Sequence, residues 1–158
     1  MSTVIVSYSR TPIGSFMGSL SSIKATELGS ISIKGTLSKS GIEKSMISDV
    51  IFGNVLSAGL GQAPARQAAI LSGLDYSTNC LTINKMCGSG LHAIMIADQM
   101  IQNDEDRVII AGGMENMSLS PHYLSRSRVG TKLGHGKIID GMIIDGLWDA
   151  YNDVHMGN

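Results

Sequence analysis

The sequence predicts an α/β fold built on a mixed, largely parallel sheet with helices on both faces. Short β-branched or apolar runs alternate with longer helix-like runs from residue 3 to residue 113. Glycine, proline and polar clusters mark each change of period. Strands that alternate with helices are joined by crossovers, and crossovers connect parallel neighbours.

The elements follow in order. Thr3 to Tyr8 is a short β-branched run ended by Arg10-Thr11-Pro12, which predicts a first strand. A glycine-containing loop over residues 14 to 18 precedes a helix from about Lys24 to Ser40. That helix is serine-rich and holds Gly29 and Gly35, so packing rather than propensity must sustain it. Asp49 to Asn54 reads as the second strand, Ala63 to Ser72 as a helix stopped by Gly73, and Cys80 to Asn84 as the third strand. The next helix, Cys87 to Asn103, has apolar residues at Leu91, Ala93, Ile94, Met95, Ala97, Met100 and Ile101, a distribution that predicts burial on most sides. Asn103-Asp104-Glu105-Asp106 is a solvated turn, and Arg107 to Ala111 is the fourth strand, running into Gly112-Gly113. Beyond Leu119, Pro121, Gly130, Gly134, Gly136 and Gly141 interrupt any long element, while Arg126, Arg128, Lys132 and Lys137 add positive charge.

Composition narrows the function classes. A chain of 158 residues can bury one sizeable core. Its 12 basic residues nearly balance its 13 acidic ones, so no overall field draws it to nucleic acid or an anionic membrane. The chain opens Met1-Ser2-Thr3-Val4-Ile5-Val6 with no basic stretch ahead of the apolar residues, and no apolar run is long enough to span a bilayer. A cytoplasmic protein without nucleic-acid or membrane partners is expected. Six residues lie between Cys80 and Cys87, a spacing that fits neither a zinc-ligand pair nor a secreted disulfide framework. No metal site is expected, and the ten methionines are too scattered for a copper-binding cluster. Gly112-Gly113 lacks the spacing of a dinucleotide or phosphate loop.

Cys87 carries the chemistry. It sits in Asn84-Lys85-Met86-Cys87-Gly88-Ser89-Gly90, between a strand-like and a helix-like run. A cysteine in the first turn of a helix faces unpaired N–H groups and the positive end of the helix dipole, which favours its thiolate. Lys85 adds positive charge, and Gly88 and Gly90 leave room for a bulky substrate. The Cys87 N–H can donate to an oxyanion formed at a carbonyl that the sulfur attacks. An arbitrary free cysteine is more often a buried structural thiol, so local context decides the reading. His92, five positions on and more than a turn away, is poorly placed as its base. His122 and His135 fall in loop segments with no evident partner.

Several segments, in order, resemble the thiolase family, acetyl-CoA C-acetyltransferases in particular. They are Arg10-Thr11-Pro12-Ile13-Gly14, Gly59 to Ala69, Asn84 to Gly90, Ala111 to Ser118, and Asp145 to Ala150 with His155-Met156-Gly157. The resemblance implies an N-terminal α/β domain over residues 1–118 and the beginning of a loop domain over 119–158. It implies that Cys87 is acetylated by acetyl-CoA and that a Claisen condensation, or thiolysis in reverse, follows. It places Leu147, His155 and Met156 along the pantetheine end of an acyl-CoA pocket. The basic stretch itself suits the phosphates of coenzyme A, a neighbouring subunit, or an ordinary solvated excursion of the chain. Glu115 is expected to be structural, hydrogen-bonded beneath the site. Coenzyme A thioesters are substrates, and no cofactor is implied. A homodimer or homotetramer is expected.

In the same family a histidine, an asparagine and a second cysteine complete the chemistry, and all three belong to its C-terminal half. None of His92, His122, His135 or His155 lies in the family's catalytic-histidine motif, and Cys80 lacks the glycine-rich context of the second cysteine. Two alternatives therefore stand: a non-catalytic remnant, or a subunit that takes a C-terminal half in trans. A ketoacyl-synthase-type condensing enzyme shares the nucleophile, but Gln62 to Ala69 and His155-Met156-Gly157 favour a thiolase. A redox pair of Cys80 and Cys87 has the least support.

Overall fold

The computed structural model describes residues 2–158. Its centre is β1 (Ile47–Gly53), in which every residue except Ser48 is buried, the pattern of a strand covered on both faces. β2 (Asn79–Ile83) and β3 (Val108–Gly113) flank it, both parallel, giving the order β2-β1-β3. Register sets Val50 beside Cys80 and Ile110, and Gly53 beside Ile83 and Gly113. The one charged residue inside β1, Asp49, is matched by Arg107, whose Nη1 lies 3.0 Å from its carboxylate. Buried charges need such a partner.

Alternate β1 residues face opposite layers. Val50 and Phe52 join Ile33 and Leu37 of α1 (Ala25–Ser40) and Ala65, Ala68 and Ala69 of α2 (Pro64–Leu71) in the larger core. Ile51 meets Ala93 and Ala97 of α3 (Ser89–Asn103) on the other face. The glycine content of α1 has a packing reason. A Cβ at Gly29 would stand 3.1 Å from Ala68 Cβ and 2.7 Å from Met114 Sδ, so α1 can lie close to α2 only with glycine there. Gly41, at φ 68°, ends α1 in the left-handed conformation and returns its N–H to Leu37 O. Pro64 opens α2 at a position where its missing N–H costs nothing.

Two sequence expectations need correction. Thr3 to Tyr8 forms no strand. The segment runs along α1, with Ser7 Oγ donating to Thr36 O and Lys39 Nζ to Tyr8 O, and Val4, Ile5 and Val6 are exposed. β-branched residues suit a pleated surface, but a strand exists only beside a ladder partner, and this segment has none among the described residues. The core sheet holds three parallel strands. Among the described residues antiparallel pairing occurs only later, where β4 (His122–Tyr123) meets β5 (Ile139–Asp140) and β6 (Trp148–Asp149) meets β7 (Val154–His155). Finally, α3 is not buried around its circumference. Its Ser89, Ala93 and Ala97 are buried and Ile96 and Met100 half-buried on the same core, while Leu91, Ile94 and Met95 are 67%, 44% and 52% exposed. A single sheet can cover only one side of a helix. Among the described residues no helix is long and apolar enough to cross a membrane.

Two isoleucines of α1 test this packing. Ile33 is fully buried and Ile31 is half exposed. Ile33→Ala should lower unfolding free energy by about 2–5 kcal/mol. Ile31→Ala should cost less than about 1 kcal/mol. Urea denaturation of the two variants makes the comparison, and equal losses would contradict the assignment of faces.

Candidate active site

Between β2 and α3 the chain must turn from the end of a strand into a helix within residues 84 to 88, and side chains flanking the turn shape it. Asn84 Oδ1 accepts from Met86 N at 3.0 Å, an Asx-type turn. Gly88 N donates to Lys85 O at 3.1 Å and Ser89 N to Met86 O at 3.0 Å. The buried Ser89 hydroxyl accepts from Lys85 N at 2.8 Å and donates to Met86 O at 2.6 Å. Met86 is held at φ 50°, a left-handed conformation costing a side-chain-bearing residue about 1–3 kcal/mol.

Cys87 stands exposed at the apex as a free thiol. The turn's bonds engage the N–H groups of Lys85, Met86, Gly88 and Ser89. Lys85 and Cys87 make an isolated bridge pairing, yet no hydrogen bond of normal geometry takes up the Cys87 N–H among the described residues. An exposed cysteine thus carries its own unengaged N–H beside the sulfur. The helix was expected to begin at Cys87. It begins at Ser89 because the bonds from Gly88 and Ser89 close tight turns first, leaving Cys87 just ahead of the helix's positive end.

Cys80 differs. It is half-buried in β2, its Sγ donates to Thr78 O at 3.4 Å, and burial pushes its thiol up while Arg66 opposes the shift. It forms no disulfide with Cys87.

A second layer supports the turn. Glu115 Oε1 accepts from Asn54 Nδ2 at 2.8 Å and Leu56 N at 3.1 Å, and Oε2 accepts from Val55 N at 2.8 Å. Burial pushes this carboxyl above its ordinary range, with the donors from Val55, Leu56 and Asn54 opposing. The loop pinned in this way reaches the thiol turn through Val55 O, which accepts from Asn84 Nδ2 at 3.5 Å. Glu115 is thus hydrogen-bonded as expected. Asn116 was not foreseen. Its Nδ2 lies 3.3, 3.1 and 2.6 Å from the carbonyls of Leu20, Ser21 and Ile23 and secures the loop before α1.

The later segment brings Leu147, His155 and Met156 together. Leu147 closes a π-helical turn, Ile143–Leu147, and its carbonyl accepts from Met156 N at 2.9 Å. His155 pairs with Trp148 across β6 and β7, and its Nδ1 accepts from Gly157 N at 3.1 Å. No hydrogen bond among the described residues joins this group to Cys87. The path between them is packing: a Cβ at Gly146 would lie 3.2 Å from Leu56 Cδ2, on the loop that touches Asn84. Arg126, Arg128, Lys132 and Lys137 are all exposed. Tyr123 donates its hydroxyl to Asp145, which pushes the phenol up to about 12. His122 does have a neighbour, Asp140, with Nε2 3.9 Å from its carboxylate, because the β4–β5 pairing sets the two opposite.

Ser89 and Asn84 are the residues sequence reading passed over. Asn84 opens the segment as an Asx-turn residue, and Ser89 is a hydroxyl at a helix start, both local signals of turn chemistry.

Comparison with known proteins agrees over nearly the whole chain. Residues 3–158 match the family described as "Thiolase, N-terminal domain". The chain is 53% identical over 154 residues to Acetyl-CoA acetyltransferase 2 of Arabidopsis thaliana, covering 98% of this chain and 38% of that protein. It is 52% identical over 154 residues to Acetyl-CoA acetyltransferase of Cupriavidus necator, covering 98% and 39%. To the mitochondrial Acetyl-CoA acetyltransferase of Bos taurus it is 52% identical over 155 residues, covering 98% and 36%. The chain therefore spans well under half the length of the curated relatives it matches.

Two expectations follow from the site. Under limiting iodoacetamide in the native state, Cys87 should be alkylated well before Cys80, read by peptide mass spectrometry; equal labelling would contradict their different exposure. The raised carboxyl of Glu115 makes its contribution to stability fullest below the ordinary glutamate value near 4.5, and that contribution is lost as pH rises through the raised value. The unfolding free energy of the native sequence relative to Glu115→Gln should therefore fall as pH rises from 4.5. Urea titrations at several pH values check the sign.

Proposed function

This chain belongs to the thiolase family, and from that membership we propose that it carries the acyl-accepting thiol of an acetyl-CoA acetyltransferase, with Cys87 as the nucleophile. The observation that carries the reading is the exposed Cys87 sulfur beside its own unengaged N–H, at the strand end of an α/β sheet, where such folds place ligands.

The Cys87 thiolate attacks the carbonyl carbon of acetyl-CoA, forming an S–C bond and a tetrahedral oxyanion. The Cys87 N–H donates to that oxygen. Collapse breaks the bond to the coenzyme A sulfur, which leaves as a thiolate and takes up a proton, and acetyl-Cys87 remains. A second acetyl-CoA loses a proton from its methyl carbon and attacks the acetyl carbonyl, releasing acetoacetyl-CoA and the Cys87 thiolate. Thiolysis runs the same steps backwards. The groups that move protons are assigned, through the family resemblance, to the length of the relatives that this chain does not span. Leu147, His155 and Met156 supply apolar and flat surface suited to a pantetheine arm. Arg126, Arg128, Lys132 and Lys137, all exposed, suit its phosphates. A cytoplasmic location and self-association into dimers or tetramers belong to the same proposal, the first supported by two free thiols and the second by exposed apolar residues.

A second reading has one observation in its favour. The uncovered Leu91, Ile94 and Met95 face of α3 suits a chain that works against a further polypeptide surface, taking its remaining catalytic groups from there.

Incubation of the protein from its natural source with isotope-labelled acetyl-CoA, followed by peptide mass spectrometry, tests the assignment. Label should appear on the peptide holding Cys87 and disappear in Cys87→Ala. Persistent label at another residue would overturn the assignment.

A further inference from the structure

We propose that Ser89 is a positioning residue that aims the Cys87 N–H, and that Gly53 is the seat that lets it do so. The inference rests on the reading of Cys87 as an acyl-accepting nucleophile.

Met86 C=O and Cys87 N–H belong to one planar peptide unit and point in opposite directions across it. Fixing one therefore fixes the other. Ser89 grips the carbonyl twice, through its Oγ at 2.6 Å and its N–H at 3.0 Å, and the same hydroxyl accepts from Lys85 N at 2.8 Å. The carbonyl is drawn back toward the start of α3, so the Cys87 N–H faces away from the turn, where no group among the described residues engages it. The same grip holds Met86 in its left-handed conformation, which would otherwise relax and rotate the peptide plane.

Ser89 can reach this position because β1 ends in glycine. A Cβ at Gly53 would lie 2.5 Å from Ser89 Cβ, 2.8 Å from Ser89 C and 2.9 Å from Gly90 N, so any side chain there would push the first turn of α3 off the sheet. Ser89 has almost no freedom of its own, being 4% exposed.

An oxyanion donor matters to attack on a carbonyl but not to displacement at a saturated carbon. Two reactions of Cys87 on this chain separate the roles: acetyl transfer from S-phenyl thioacetate and alkylation by iodoacetamide, each followed by peptide mass spectrometry, with protection of Cys80 as the monitor of folding. Ser89→Ala should slow acetyl transfer by roughly ten- to a hundredfold, below the loss seen when an oxyanion donor is deleted outright. Alkylation should change little, and Ser89→Thr, which keeps the hydroxyl, should retain more acetyl transfer than Ser89→Ala. Equal slowing of both reactions in Ser89→Ala, or slowing of neither, overturns the positioning role alone. An unmodified chain that alkylates at Cys87 but takes no acetyl group overturns the nucleophile assignment as well. Should Ser89→Ala expose Cys80 and so prove unfolded, amide hydrogen exchange of the unmodified chain decides. Protected Lys85 and Met86 amides beside a rapidly exchanging Cys87 amide support the proposal, and a protected Cys87 amide overturns it.

Discussion

The parallel ladder on both sides of β1 is the constraint from which the other features of this chain follow. Among the described residues β1 is the only strand paired on each edge, and its side chains alternate between the layer of α1 and α2 and the layer of α3. Its polar end is anchored by Asp49 against Arg107. Its other end releases the chain at Gly53 into the loop held by Glu115, and the same glycine accepts the first turn of α3. The core and the reactive turn thus share one strand, and a displacement of β1 would be felt in both.

Local strain at Met86 makes sense in that setting. A left-handed residue with a long side chain costs free energy, and a turn free in solution would relax away from it. Here the cost is met by several short hydrogen bonds and by a helix pressed against a strand end that has no side chain. Strand, turn and helix over-determine the conformation, which is the condition under which a strained backbone persists. The exposed thiol at the apex is held by its neighbours rather than by its own contacts.

How much was legible in the sequence follows from what each feature depends on. α1, α2, α3 and the three core strands depend on local pattern and on punctuation such as Gly41, Pro64 and Gly73, and residues 24 to 113 declare them to within a few positions. Thr3 to Tyr8 has the composition of a strand, but strand formation is decided by a neighbour, which composition does not encode. The apolar residues of α3 announced a capacity for burial, while the cover available is that of one sheet face. Cys87 was legible because its surroundings are contiguous in sequence. The roles of Ser89 and Gly53 were not, since position 53 and position 89 meet only after β1 and α3 have packed.

The link between the thiol turn and the later segment has the same origin. Glu115 follows β3, yet its carboxylate grips the loop that follows β1, so two adjacent parallel strands are tied at their C-terminal ends. That loop then touches the thiol turn through Val55 and the Leu147 segment through Leu56 packed on Gly146. A half-buried carboxyl with three N–H donors is a stiff joint, because any motion of the loop would strand either the acid or its donors without partners. Val55 and Leu56 therefore hold a fixed place between the thiol and Leu147, His155 and Met156. In the acetyltransferase reading, the distance from the sulfur to the groups that would hold the coenzyme arm is set by this loop, and Glu115 governs that distance without touching either.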